Sequence, residues 1–105
     1  MTIAFSHSAA NDLASIWEWN AETYSEEHAD KYVRFVLTEI SSLTQKPFQG
    51  VVLRDRNEIR RLLVRKGKKG HGHLAFYRLS AEEIEVIRVL HTAQDWPEII
   101  ERYLG

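Results

Sequence analysis

A chain of 105 residues supports one hydrophobic core and buries roughly two thirds of the surface its unfolded form exposes, so one domain is expected over residues 1–105. It has no cysteine, which excludes disulfides, zinc–thiolate centres and thiol nucleophiles, and its 44% apolar and 28% charged residues exclude a disordered tail. No apolar run can span a bilayer and Met1–Phe5 lacks the features of an export signal, so a cytoplasmic protein without membrane contact is expected.

Thr2 to Phe5 reads as a short strand with Ile3 and Phe5 on one face. Ser6 sits where an N-cap would, and Ala9, Leu13, Ile16 and Trp17 follow at three- and four-residue spacing, which predicts an amphipathic helix to about Glu22. Ser25 is a second N-cap, with Glu26 and Glu27 where the helix dipole favours acids. Ala29, Tyr32, Val33, Val36, Ile40 and Leu43 carry that second helix to about Thr44. So short a connection makes the two helices an antiparallel hairpin. Pro47 and Gly50 end it.

Beyond Gly50 the pattern turns to short β-branched or aromatic runs: Val51–Leu53, Ile59–Arg65, Leu74–Leu79 and Ile84–Leu90. Their short connections, one of them the glycine-rich stretch from Gly67 to Gly72, require antiparallel pairing. Trp96-Pro97 opens a last short helix with Ile99, Ile100, Tyr103 and Leu104 on its apolar side. The expected fold is α+β: an N-terminal strand, a helical hairpin packed on a small antiparallel sheet, and a short C-terminal helix. The helices cover one face of the sheet, which leaves the other face or an edge for function.

The net charge of −1 conceals a segregation. Residues 1–45 carry −5 and residues 74–105 carry −3, whereas 46–73 set nine Lys and Arg against Asp55 and Glu58 for +7. Arg60, Arg61, Arg65, Lys68 and Lys69 lie on the second strand and its following loop, with Arg61 and Arg65 on one face and Arg60 on the other. A rigid cationic ribbon of this kind attracts phosphate or an acidic partner. It is equally readable as a solvated surface neutralised by the acidic helices beside it.

The residues Ser6-x-x-Ala9-x-x-Asp12-Leu13-x-x-Ile16-Trp17, Ala29-x-x-Tyr32 and Leu43-x-x-x-Pro47-x-x-Gly50 open a pattern that spans nearly the whole chain. Ile59-Arg60-Arg61-Leu62, Phe76-Tyr77-Arg78 and Ile87-Arg88-Val89-Leu90-His91-x-x-x-Asp95 complete it. In order and spacing this resembles the RelE/ParE superfamily of bacterial type II toxins. The resemblance implies a cognate antitoxin that wraps and silences the protein, and a toxin–antitoxin complex that can assemble further. It implies one of two activities. RelE-like members resemble ribosome-dependent endoribonucleases that cut messenger RNA; ParE-like members are similar to inhibitors of DNA gyrase. Thr92 stands where ribonuclease members with a preceding histidine often carry tyrosine, so the ending is closer to ParE. A third reading is an inactive, non-toxic binding module of the same fold.

Ribonuclease chemistry would need a proton acceptor for the 2′-hydroxyl and cations for the phosphorane. His91 with Arg61, Arg78 and Arg88 are the candidates. Regular pleating, however, places Arg88 with Ile84, Val86 and Leu90 and sends His91 to the opposite face with Glu85, Ile87 and Val89. Arg88 also reads as the partner of a helix carboxylate, Asp12 or Glu18. His71-x-His73 has no further ligands nearby, so neither metal nor cofactor is expected. Trp17 reads as core, while Trp19 and Trp96 are candidate aromatic anchors for an antitoxin.

Overall fold

The computed structural model describes residues 1–68 and 70–105; Lys69 lies outside them. In chain order the elements are β1 (Thr2–Phe5), α1 (His7–Thr23), α2 (Glu26–Ser41), β2 (Val51–Leu53), β3 (Arg56–Val64), β4 (His73–Leu79), β5 (Glu83–His91) and α3 (Trp96–Leu104). A 3-10 turn over Ser42–Thr44 extends α2 to the end expected of it. No helix among the described residues is long and apolar enough to cross a membrane.

Both serine caps form. Ser6 Oγ accepts from the Ala9 amide at 3.0 Å and donates to the Ile87 carbonyl at 2.7 Å, which ties the start of α1 to the sheet. Ser25 Oγ accepts from the His28 amide at 3.0 Å. Trp17 Nε1 donates to Asp30 Oδ1 at 2.8 Å and fastens the two arms of the hairpin together.

The sheet runs β1-β5-β4-β3-β2. Strands β2 to β5 pair antiparallel in sequence order, as the short connections require. β1 adds to the free edge of β5 in parallel, with Thr2 opposite Glu83 and Phe5 opposite Val86, so the sheet is mixed. Parallel strands cannot be joined by a tight turn, and here the helical hairpin and β2 to β4 lie between β1 and β5. β3 starts earlier than the run from Ile59, because Arg54 and Asp55 make a tight turn with Asp55 at φ 65°, a conformation aspartate tolerates.

Ala9 of α1 and Val36 and Ile40 of α2 are fully buried against Ala75, Tyr77 and Val86 of the sheet. Val36, Ile40 and Val86 each contribute about 1.5–3 kcal/mol by leaving water, the alanines less. The opposite face is not open, as the sequence suggested. There Ile59, Phe76, Ile87 and Leu90 form a second buried cluster, closed by Ile100 of α3. Helix α3 is amphipathic enough to cover apolar surface that a two-layer fold would have exposed.

A bulge also overturns the expected parity of β5. Tyr77 faces Val86 while Phe76 faces Arg88, so Ile87 is the extra residue. From that point Val89 joins Val86 on the hairpin side and Leu90 joins Ile87 on the α3 side. Arg88 therefore leaves the face of Val86 for the row of Phe76.

The link between hairpin and sheet turns on Gly50. Its amide donates to the Tyr77 hydroxyl at 2.9 Å, and that hydroxyl donates to the Pro47 carbonyl at 2.8 Å. A Cβ on Gly50 would lie 2.5 Å from the hydroxyl oxygen and 2.9 Å from the Arg61 carbonyl. Glycine is required here by space.

Candidate functional site

The cationic ribbon forms on β3 and its surroundings. By register Arg60 faces Tyr77 and Arg61 faces Phe76, so the two point to opposite sides as their spacing implies. Arg60 donates through Nη1 to the carbonyls of Gly50 (2.8 Å) and Phe48 (3.2 Å), and its guanidinium lies 5.0 Å from the centre of the Phe48 ring. Arg61 lies 5.1 Å from the centre of the Trp96 ring. Arg65 reaches the Gly70 carbonyl, at 3.5 Å. Lys68 is exposed, and Lys69 falls outside the described residues. Among the described residues the ion pairs are Lys31–Glu27, Arg56–Glu101, Arg78–Glu85, Arg88–Asp12 and Arg102–Glu98; none engages Arg60, Arg61 or Arg65. Among the described residues no carboxylate of the acidic helices pairs directly with these three arginines.

Sequence reasoning missed the apolar half of this surface. Phe48 is 69% exposed beside Arg60, and Val51, on the short edge strand opposite Arg61, is 57% exposed. The lone Phe48 between Pro47 and Gln49 was the available signal. Trp96 is half-buried, packed on Phe76 with ring centres 5.5 Å apart and beneath Arg61. Trp19 lies elsewhere, at the mouth of a second feature.

That feature is a cleft of about 910 Å³ between the ends of α1 and β5, the start of α2 and the β3–β4 loop. His71, His73 and His91 gather there, with ring centres 5.4 Å apart for 71 and 91 and 5.2 Å for 73 and 91. His73 is buried and shares a 2.6 Å hydrogen bond through Nδ1 with the Tyr32 hydroxyl. Burial, then the neighbouring His91, pushes its pKa down to about 4. Burial and then His71 lower that of His91 as well, and burial raises that of Tyr32. The Ala93 amide donates to His91 Nδ1 at 3.0 Å, which places the ring proton on Nε2. A ring held in that form offers a donor, not a metal-binding lone pair, on its open side. No group of three His, Cys, Asp or Glu able to hold a metal occurs among the described residues.

Thr92 has a structural task. Its hydroxyl accepts from the Gly72 amide and hydrogen-bonds His71 Nδ1, each at 3.2 Å, and its own amide donates to the Gly72 carbonyl at 3.0 Å. It latches the β3–β4 loop to the end of β5.

The four residues considered for ribonuclease chemistry do not converge. His91 pairs with His73 on the hairpin side. Arg61, Phe76 and Arg88 lie in one row on the α3 side, and Arg78, one residue from Tyr77, points to that side too. Arg78 is bound to Glu85 at 2.7 Å. Arg88 is bound to Asp12, the first of the two carboxylates expected for it.

This hairpin-on-sheet architecture is shared with the solved structure described as "Chromosomal ParDE TA system from P. aeruginosa", at a TM-score of 0.72. The two are 23% identical, over 86% of this chain and 94% of that one, a likeness of fold. The sequence model described as "ParE toxin of type II toxin-antitoxin system, parDE" matches residues 3–96, and the chain belongs to that family. Helix α3 lies almost wholly beyond the matched residues. No curated protein matches the chain.

Proposed function

We propose that this ParE-family toxin acts in the cytoplasm by binding DNA gyrase, and that a cognate antitoxin neutralises it by covering the ribbon of Arg60, Arg61, Arg65, Lys68 and Lys69. The observation that carries this reading is the ribbon itself: rigidly mounted guanidinium groups without carboxylate partners among the described residues, beside exposed Phe48 and Val51. Cations flanked by apolar side chains suit an acidic amphipathic segment, with charge setting encounter and orientation. Trp96, beneath Arg61, belongs to the same surface, and Trp19 offers a second aromatic contact.

Messenger RNA cleavage is disfavoured because Arg61 and Arg78 lie on the face opposite His91, and Arg78 and Arg88 are already committed to carboxylates. Induced expression without antitoxin, followed by primer extension on cellular messenger RNA, tests the choice. Growth arrest with intact messages supports gyrase as the target. Cuts at fixed codon positions would establish the ribonuclease, and unimpaired growth with soluble protein would establish a non-toxic module.

A further inference from the structure

The ribbon leaves the 910 Å³ cleft without a role, and its size lies in the range of about 300–1,000 Å³ that encloses small molecules. Its mouth is aromatic. Trp19 and Tyr24 are 59% and 62% exposed and stand edge to face with ring centres 6.0 Å apart. Exposed ring faces of this kind stack on planar ligands.

Several polar groups inside are neutral. His91 presents Nε2–H, its Nδ1 being occupied by the Ala93 amide. Asn20 is only 6% exposed; its Nδ2 donates to the Ile16 carbonyl at 2.7 Å, which leaves Oδ1 as an acceptor on the cleft wall. Depressed basicity keeps His73 and His91 uncharged near neutrality. Neutral donors and acceptors between aromatic walls match the edge of a heteroaromatic base, where a bare anion would require cations.

Among the described residues one lysine lines the cleft. Lys66 has no carboxylate partner among the described residues, and its ammonium lies 5.3 Å from the centre of the Phe35 ring. The one carboxylate in the lining, Asp12, is consumed by Arg88 and by the Val89 amide. The guanidinium thereby offsets the repulsion this carboxylate would exert on an anionic group.

We propose that this cleft binds a nucleoside monophosphate, the base against Trp19 and the imidazoles and the phosphate on Lys66. The proposal does not rest on the gyrase or antitoxin reading. Titrating the folded chain with AMP, GMP, adenosine and ribose 5-phosphate, followed by the His and Trp side-chain NMR signals, tests it. At least one mononucleotide should bind at submillimolar concentration, shifting His71, His73, His91 and Trp19. Trp19→Ala should weaken it about tenfold. Lys66→Ala should weaken the mononucleotide severalfold yet leave adenosine unchanged, and Arg61→Glu/Arg65→Glu should leave all affinities unchanged. Three results would each overturn the proposal: no shift up to about 10 mM of any mononucleotide, ribose 5-phosphate binding as tightly as AMP, or shifts confined to the ribbon.

Discussion

Arg88 and Asp12, distant in sequence, meet in a two-point ion pair: Nε to Oδ2 at 2.7 Å and Nη2 to Oδ1 at 2.8 Å. The Val89 amide donates to the same carboxylate at 2.9 Å, just past the bulge at Ile87. One carboxylate thus fixes α1 to the end of β5, where β1 no longer covers the edge. Asp12→Ala strands both the guanidinium and the amide, at a cost of about 2–4 kcal/mol in urea unfolding. Arg88→Ala should cost less, since Val89 keeps its acceptor, and the double variant should fall short of the sum. Additive losses would show that the two residues act separately.

The Gly50–Tyr77–Pro47 chain predicts a second sensitivity. Gly50→Ala forces its Cβ against the Tyr77 hydroxyl, 2.5 Å away, and should destabilise the fold by about 2 kcal/mol or more. Tyr77→Phe removes only the hydroxyl and leaves the Gly50 amide unsatisfied, costing about 1–3 kcal/mol. The pair of variants should be little worse than Gly50→Ala alone, because both damage one contact. Thermal unfolding that ranks Gly50→Ala as neutral would contradict the contact.

Acid should weaken the fold through His73. Its folded imidazole titrates near 4 and its unfolded form near the ordinary 6.5. The unfolded state therefore binds the proton first, and this contribution is complete above pH 6.5 and lost as the pH falls towards 4. The loss is on the order of 2–3 kcal/mol across that window. His73→Gln should flatten the dependence in denaturant titrations at several pH values, whereas an unchanged slope would locate the sensitive group elsewhere.

Much of this was legible in the sequence, and the failures have local causes. Ser6 and Ser25 announced both helix starts, and short β-branched or aromatic runs located β3 to β5. Asp12 could be named as a partner for Arg88 because a buried guanidinium demands one. The bulge could not be read, since Ile84 to Leu90 is apolar on both faces and carries no alternation to lose. For the same reason α3 was recognised as a helix but not as the cover of the second face. The cleft was hidden because Trp19, Tyr32, Lys66 and His91 come from four separate elements. Only the recurrence of Tyr24, His28 and Tyr32 at four-residue spacing hinted at it.

Charge reversal on the ribbon probes the antitoxin surface. Arg61→Glu with Arg65→Glu should weaken the toxin–antitoxin complex by at least tenfold at moderate ionic strength, with a flatter salt dependence. Arg61 also rests on Trp96, so Arg61→Gln, which keeps length but not charge, should fall between the two. Calorimetry showing equal affinity for all three proteins would remove the electrostatic part of the account.

The target is tested most directly with purified components. Relaxed plasmid, DNA gyrase and ATP are incubated with a stoichiometric excess of the folded, antitoxin-free chain, and supercoiling is read on a gel. Loss of supercoiling, restored when the chain is first mixed with its antitoxin, is the predicted result. Full supercoiling at every concentration of soluble, folded protein would contradict it.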